Sequence, residues 1–147
     1  EPLSFRPPEL ERHETGGVPV LLIEDRTLPL VTLYVSIQGG YGLFEREAYA
    51  AAMGLPALLR YGGTTTRSPR DVDELLEEHS FQLSFGSGGG SVTSSLNTLT
   101  EHLEAGVELW GDLIANPAFD GEEVEAWRGP DRLGDGRKRP SARATHG

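Results

Sequence analysis

The chain has 147 residues, enough for one domain with a core, and carries 23 acids against 13 bases for a net charge of −10. That sign speaks against a nucleic-acid partner, whose phosphates reward cations. The lack of cysteine removes disulfides, thiolate zinc sites and cysteine nucleophiles, and no run of about 18 apolar residues offers a membrane span.

Glu1 to Pro8 reads as a proline-rich, extended lead-in. It opens without a charged start and an apolar run, so a signal peptide is expected to be absent or already removed. Glu9 to Thr15 is a polar strand closed by the turn signal Gly16-Gly17. Val18 to Ile23 is nearly all apolar and fits a strand buried on both faces. After a turn at Glu24 to Thr27, Val31, Leu33, Val35 and Ile37 alternate with Thr32, Tyr34, Ser36 and Gln38. This spacing predicts a central strand with those four residues on its core face.

Ala48 to Ser68 begins as a small-residue helix behind Glu45-Arg46-Glu47 and stops at Gly62-Gly63. Its composition predicts a close-packed core helix, kinked or split at Pro56. Ser68-Pro69-Arg70-Asp71 is a capped helix start, followed by the stripe Val72, Leu75, Leu76 and His79. Phe81, Leu83 and Phe85 alternate as a strand, and Gly86 to Gly90 reads as a flexible hairpin connection. Val92, Ser94, Leu96 and Thr98 form the next strand. Thr98 to Glu101 has the form of a capping box, with Leu103, Val107, Trp110 and Ile114 as the helical stripe behind it. Asn116-Pro117 ends that helix, and Asp120 to Glu123 starts another with Val124 and Trp127 inward. The order β-β-β-α-α-β-β-α-α predicts an α+β fold, a mostly antiparallel sheet with helices on one face.

Chemistry is sparse. Of His13, His79, His102 and His146, only His79 sits near a zinc pattern, in Leu75-Leu76-Glu77-Glu78-His79. A leucine stands there where the first ligand of a His-x-x-Glu-His motif belongs, on the apolar stripe. Asp71, Asp73, Glu74, Glu77 and Glu78 read as a solvated helix face. Ser91, Ser94 and Ser95 lie in a strand without a nucleophile elbow. The glycine run 86–90 has no lysine nearby and leads into a strand, so it is no phosphate loop.

Residues 129–147 differ in character, with five bases to two acids, while residues 1–128 hold 8 bases and 21 acids. This basic Gly/Arg/Pro-rich tail is expected to be disordered. Twelve of the 13 bases in the chain are arginine, as GC-rich coding DNA would give. A shifted reading frame in such DNA would also yield a tail of this mixture; a natural tail is the plain alternative.

The opening PPELERHETGGVPVLLIEDRTLPLVTLYVSIQGG, the small-residue helix closed by GGTTTRS, and DVDELLEEHSFQLSFGSGGGSVTSSLNTLTEHLEAGVELWGDLIANPAFDGEEVEAWR together resemble the N-terminal domain of the pitrilysin/insulinase zinc metallopeptidase family. The resemblance runs from about Leu3 to Arg128. It implies a domain over 1–128, incomplete at its C-terminal end and so prone to self-association. It also implies zinc held by His-x-x-Glu-His on the helix before Gly63-Thr64. Those positions fall on Gly54, Ala57 and Leu58 in one register and on Ala57, Arg60 and Tyr61 in the other. Neither supplies a ligand, and no glutamate follows Glu125 for the family's further ligand. The resemblance therefore implies a non-catalytic member with no catalytic or metal-binding residues and no bound cofactor. Its partner would be an active zinc-peptidase subunit of the same family, with peptide substrate reached through the complex, and a bacterial periplasm or envelope location is favoured. The alternatives are a fragment of an active zinc endopeptidase completed elsewhere and a binding module unrelated to proteolysis.

Overall fold

The computed structural model describes residues 9–119 and 121–128, without the side chains of Glu123, Ala126, Trp127 and Arg128. The expectations for the lead-in, the Asp120 cap, the inward Trp127 and the basic tail lie outside the described residues. Two compact units divide the chain at Leu30/Val31.

The first unit holds an antiparallel ribbon of β1 (Leu10–Thr15) and β2 (Val18–Ile23), with Thr15 opposite Val18 and Leu10 opposite Ile23. Gly16 and Gly17 have φ of 59° and 79°, the left-handed pair that a two-residue hairpin turn requires. The expected burial of β2 on both faces is not found. Val18, Leu21 and Ile23 are 61%, 59% and 54% exposed, because a two-stranded ribbon has no second layer of its own.

In the second unit, β3 (Leu30–Gln38), β4 (Gln82–Ser87) and β5 (Ser91–Leu99) form a sheet in the order β3-β5-β4. β4 and β5 are antiparallel, with Leu83 opposite Leu96 and Ser84 opposite Ser95. The central strand is thus β5, and β3 lies at the sheet's end, a correction to the reading of its alternation. Val31 and Leu33 are half-buried and Leu33 meets the core, whereas Val35 and Ile37 are 38% and 60% exposed. Alternation marks two faces of a strand but does not tell how many neighbours it has.

α1 (Tyr49–Tyr61) follows two 3₁₀ turns, Tyr41–Leu43 and Arg46–Ala48. It runs unbroken through Pro56, so the expected split does not occur. The missing N–H forfeits only the bond to the carbonyl four residues back. Gly63 then takes φ +70°, and a Cβ there would lie 2.8 Å from the Arg67 carbonyl oxygen. α2 (Pro69–Glu78) starts on the expected capping box: Asp71 N–H donates to Ser68 Oγ at 3.2 Å and Ser68 N–H to Asp71 Oδ2 at 3.0 Å.

α3 (Leu103–Ala115) departs from its expected cap and stripe. Thr98 caps nothing; it is the last buried residue of β5, and a 3₁₀ turn, Thr100–His102, leads into the helix. The buried face is Gly106, Leu109, Trp110 and Leu113, while Val107 and Ile114 are 42% and 48% exposed. Gly106 explains the rotation: a Cβ there would lie 3.2 Å from both Leu96 Cδ2 and Phe81 Cε1, so the helix packs through its missing side chain. Hydrophobicity alone cannot mark such a face. α4 (Gly121–Arg128) follows Asn116-Pro117, which ends α3 as expected.

The core joins Val72 and Leu76 of α2, Phe81, Leu96 of β5, and Leu109, Trp110 and Leu113 of α3. Leu96 and Leu113 are fully buried, each worth about 1.5–3 kcal/mol of apolar transfer. The Gly-rich β4–β5 connection is not loose, contrary to expectation. Its carbonyls at Gly88, Gly89 and Gly90 accept the amides of Tyr41, Gly42 and Gly39 at 3.1, 3.1 and 3.0 Å.

Candidate functional site

The helix on which zinc ligands would fall in the resembled family is α1, and neither register fits the metal. Gly54 is buried and bears no side chain, and Ala57 and Leu58 are half-buried hydrocarbons. Arg60 is a donor and cannot ligate a cation; its Nη1 donates to Asp73 Oδ1 of α2 at 2.9 Å and its guanidinium lies 4.8 Å from the centre of the Tyr61 ring. The Tyr61 phenol is the one oxygen donor in either set, too few for a zinc centre. No group of three or more His, Asp or Glu side chains able to hold a metal ion occurs among the described residues.

The remaining polar candidates are drawn into structure. His79 and His102, 23 residues apart in sequence, come together with ring centres 4.8 Å apart, and His79 also lies 5.2 Å from Phe81. His13 sits in the ribbon beside Glu11 at 3.1 Å. The acid cluster of α2 is divided among separate tasks. Asp71 closes the cap, Asp73 holds Arg60, and Glu74 accepts from Arg70 at 2.8 Å. Ser94 is a core residue: it accepts the Trp110 indole N–H at 2.7 Å and donates to the Ser84 carbonyl at 3.0 Å.

The loop between α1 and α2 is fastened to α3. Arg67 donates from Nη1 to Asp112 Oδ2 at 2.7 Å and from Nη2 to Glu108 Oε1 at 3.0 Å. Asn116 Nδ2 donates to the other Asp112 oxygen at 2.9 Å. Hydrogen bonds from Asn116, then Thr64, and further from Thr66 and Arg67, hold the Asp112 carboxyl below the usual carboxylate range against a smaller opposing effect of burial. Thr64 and Pro117 add an antiparallel bridge. This network serves structure, because Arg67 is engaged by both acids.

Among the described residues a groove of about 620 Å³ lies between the end of α1 and the strands of the sheet. Gln82, Leu83 and Ser84 of β4, Ser95 and Asn97 of β5, Thr32 of β3 and Phe81 line it, the polar side chains among them alternating along the strands with the core residues Leu96 and Leu33. Asn97 Nδ2 donates to Thr32 Oγ1 at 2.9 Å, and the Ser84 and Ser95 hydroxyls are 2.7 Å apart. Arg60 and Tyr61 form one wall, so these two positions of the degenerate helix are brought to the groove, while Gly54, Ala57 and Leu58 do not line it. The sequence reading passed over this polar face. The available signal was the uncharged alternates Gln82, Ser84, Ser95 and Asn97 on successive strands, where a solvated face ordinarily carries charge.

No protein-family model and no curated protein matches this sequence. Among solved structures the fold matches the crystal structure of a peptidase M16 inactive domain from Pseudomonas fluorescens, with a TM-score of 0.72 and 20% identity. The match covers 80% of this chain and 29% of that one, so this chain spans well under half the length of the structure it resembles. At that identity the likeness shows the fold: α+β, of the pitrilysin type. No helix among the described residues is long and apolar enough to cross a membrane.

Proposed function

We propose that this chain is a non-catalytic pitrilysin/insulinase-type domain that serves as the structural or substrate-handling partner of an active zinc-peptidase subunit. The observation that carries the reading is the fold likeness to an M16 inactive domain, joined to an α1 whose side chains cannot hold zinc. Catalysis then belongs to the partner, which supplies the metal and its ligands. This chain contributes a wall to the shared chamber and polar contacts to the peptide. The domain extends over residues 1–128, with the basic tail beyond it. A bacterial envelope setting suits such a pair.

Co-expression with a pitrilysin-type subunit carrying an intact His-x-x-Glu-His motif tests the reading. The expected outcome is a stable complex whose peptidase activity exceeds that of the active subunit alone. An active subunit that neither co-purifies with this chain nor changes its rate in its presence would refute it.

A further inference from the structure

His79 and His102 are both half-buried, and their ring planes are inclined at 54° with the centres 4.8 Å apart. Neither ring hydrogen-bonds to another side chain among the described residues; Glu101 Oε1 lies 3.9 Å from His102 Nε2, beyond hydrogen-bond reach. No unpartnered side-chain nitrogen among those residues is sealed from solvent, so the ring nitrogens can be reached. The backbone that carries the rings is fixed by the core. His79 ends α2 and gives its N–H to the Leu75 carbonyl at 3.2 Å, and Phe81, next to it in space, is 7% exposed. His102 closes the 3₁₀ turn into α3, the helix that packs on the same Phe81 through Gly106.

The surroundings favour a cation. His79 stands at the carbonyl end of α2, which has no base in its last turn. The start of α3 acts in the opposite sense, but Glu101 and Glu104 sit there. With each ligating nitrogen about 2.0–2.1 Å from a shared ion, two imidazole centres come about 4.5–5.2 Å apart at octahedral to tetrahedral angles. The observed spacing falls within that span.

We propose that His79 and His102 form an exchangeable site for a divalent transition-metal ion, with the two imidazoles as adjacent ligands and water completing its shell. The site belongs to the end of α2 and the entry to α3, not to α1, and does not depend on a peptidase partner. Two protein ligands are too few for a closed structural zinc centre, so the ion binds reversibly. Imidazole nitrogen puts Cu²⁺ ahead of Ni²⁺ and Zn²⁺ and leaves Mg²⁺ unbound. A bound ion ties the end of α2 to the start of α3 beside Phe81.

The test uses the full chain and Cu²⁺ as the probe. Equilibrium dialysis should give one ion per chain, and electron paramagnetic resonance should show coupling to two imidazole nitrogens. His79→Gln and His102→Gln should each weaken binding by about tenfold or more, while His13→Asn and His146→Asn leave it unchanged. Saturating Cu²⁺ should raise the thermal midpoint of the wild type by several degrees, and that of the His79→Gln/His102→Gln double variant not at all. Circular dichroism establishes that each variant is folded. Where a variant does not fold, paramagnetic broadening in the wild type decides, with the amides of His79 and His102 expected to broaden first. Broadening that begins at His13 or His146 overturns the proposal. So does a folded wild-type chain without a saturable Cu²⁺ site, or a double variant that keeps its affinity and nitrogen coupling; the two rings are then an aromatic stack on Phe81 and nothing more.

Discussion

Gly42 donates its amide to the carbonyl oxygen of Gly89 at 3.1 Å, and a Cβ on Gly42 would stand 2.2 Å from that same oxygen. Gly40 is under the same constraint, with a Cβ 2.1 Å from the Gly88 oxygen and a φ of +98° besides. The two glycine runs are therefore halves of one backbone clasp between the end of β3 and the β4–β5 turn.

Gly42→Ala should break that clasp. The contact is backbone on backbone, so neither side can swing away, and the loss should be about 2 kcal/mol or more. A urea titration would show a lower midpoint, and hydrogen exchange at Tyr41 and Gly42 should accelerate. An unchanged midpoint would mean that the turn is held elsewhere.

Two glycines on α3 should respond oppositely to the same change. Gly111 faces open space, so Gly111→Ala should stabilise by up to about 1 kcal/mol through helix propensity. Gly106→Ala gains the same propensity but pushes into Leu96 and Phe81 at 3.2 Å, and overpacking of about 1–3 kcal/mol should outweigh it. Thermal melts of the pair read the difference directly, and equal shifts would contradict the packing described.

Acid should loosen the loop between α1 and α2. The Asp112 carboxyl is held below the ordinary range, chiefly by Asn116 and then Thr64, so the folded state favours its ionised form. Its contribution is present above about pH 4 and is lost as pH falls through the lower, folded value. The unfolding free energy of the wild type should therefore drop in that acid window. Asp112→Asn should be less stable at neutral pH, where the Arg67 pair is lost, and should show a shallower acid slope. A variant with the wild-type slope would place the acid sensitivity in other carboxylates.

Installing a zinc motif should not make an enzyme. Ala57→His, Arg60→Glu and Tyr61→His together would put two imidazoles at i and i+4, but Pro56 stands directly before the first and no glutamate follows Glu125 to act as the third ligand that the resembled family uses. Arg60→Glu would also set a carboxylate against Asp73. Weak zinc uptake by dialysis and no peptide hydrolysis are expected; chelator-sensitive cleavage would refute the non-catalytic reading.

Local chemistry was legible in the sequence: the Ser68 cap, the Gly16-Gly17 turn, the alternation of β5 and the stop at Asn116-Pro117 all stand where the residues place them. What depended on a neighbour was not. The edge position of β3 is decided by which strand pairs with it, and the inward face of α3 by a glycine that only Phe81 and Leu96 make meaningful. The stiffness of the 86–90 run likewise comes from amides some 50 residues earlier. The groove escaped for the same reason, since Arg60 and Asn97 become neighbours only when α1 lies along β4.

The chain of bonds from the Trp110 indole through Ser94 Oγ to the Ser84 carbonyl joins the middle of the core to a strand that lines the groove. An indole whose N–H is fixed in this way emits according to the strength of that bond and the dryness around it. Displacing β4 by even a few tenths of an ångström would alter both. Trp110 is thus a resident optical probe of the groove, and with Trp127→Phe as background its emission reports, without any label, when that side of the sheet is strained or occupied.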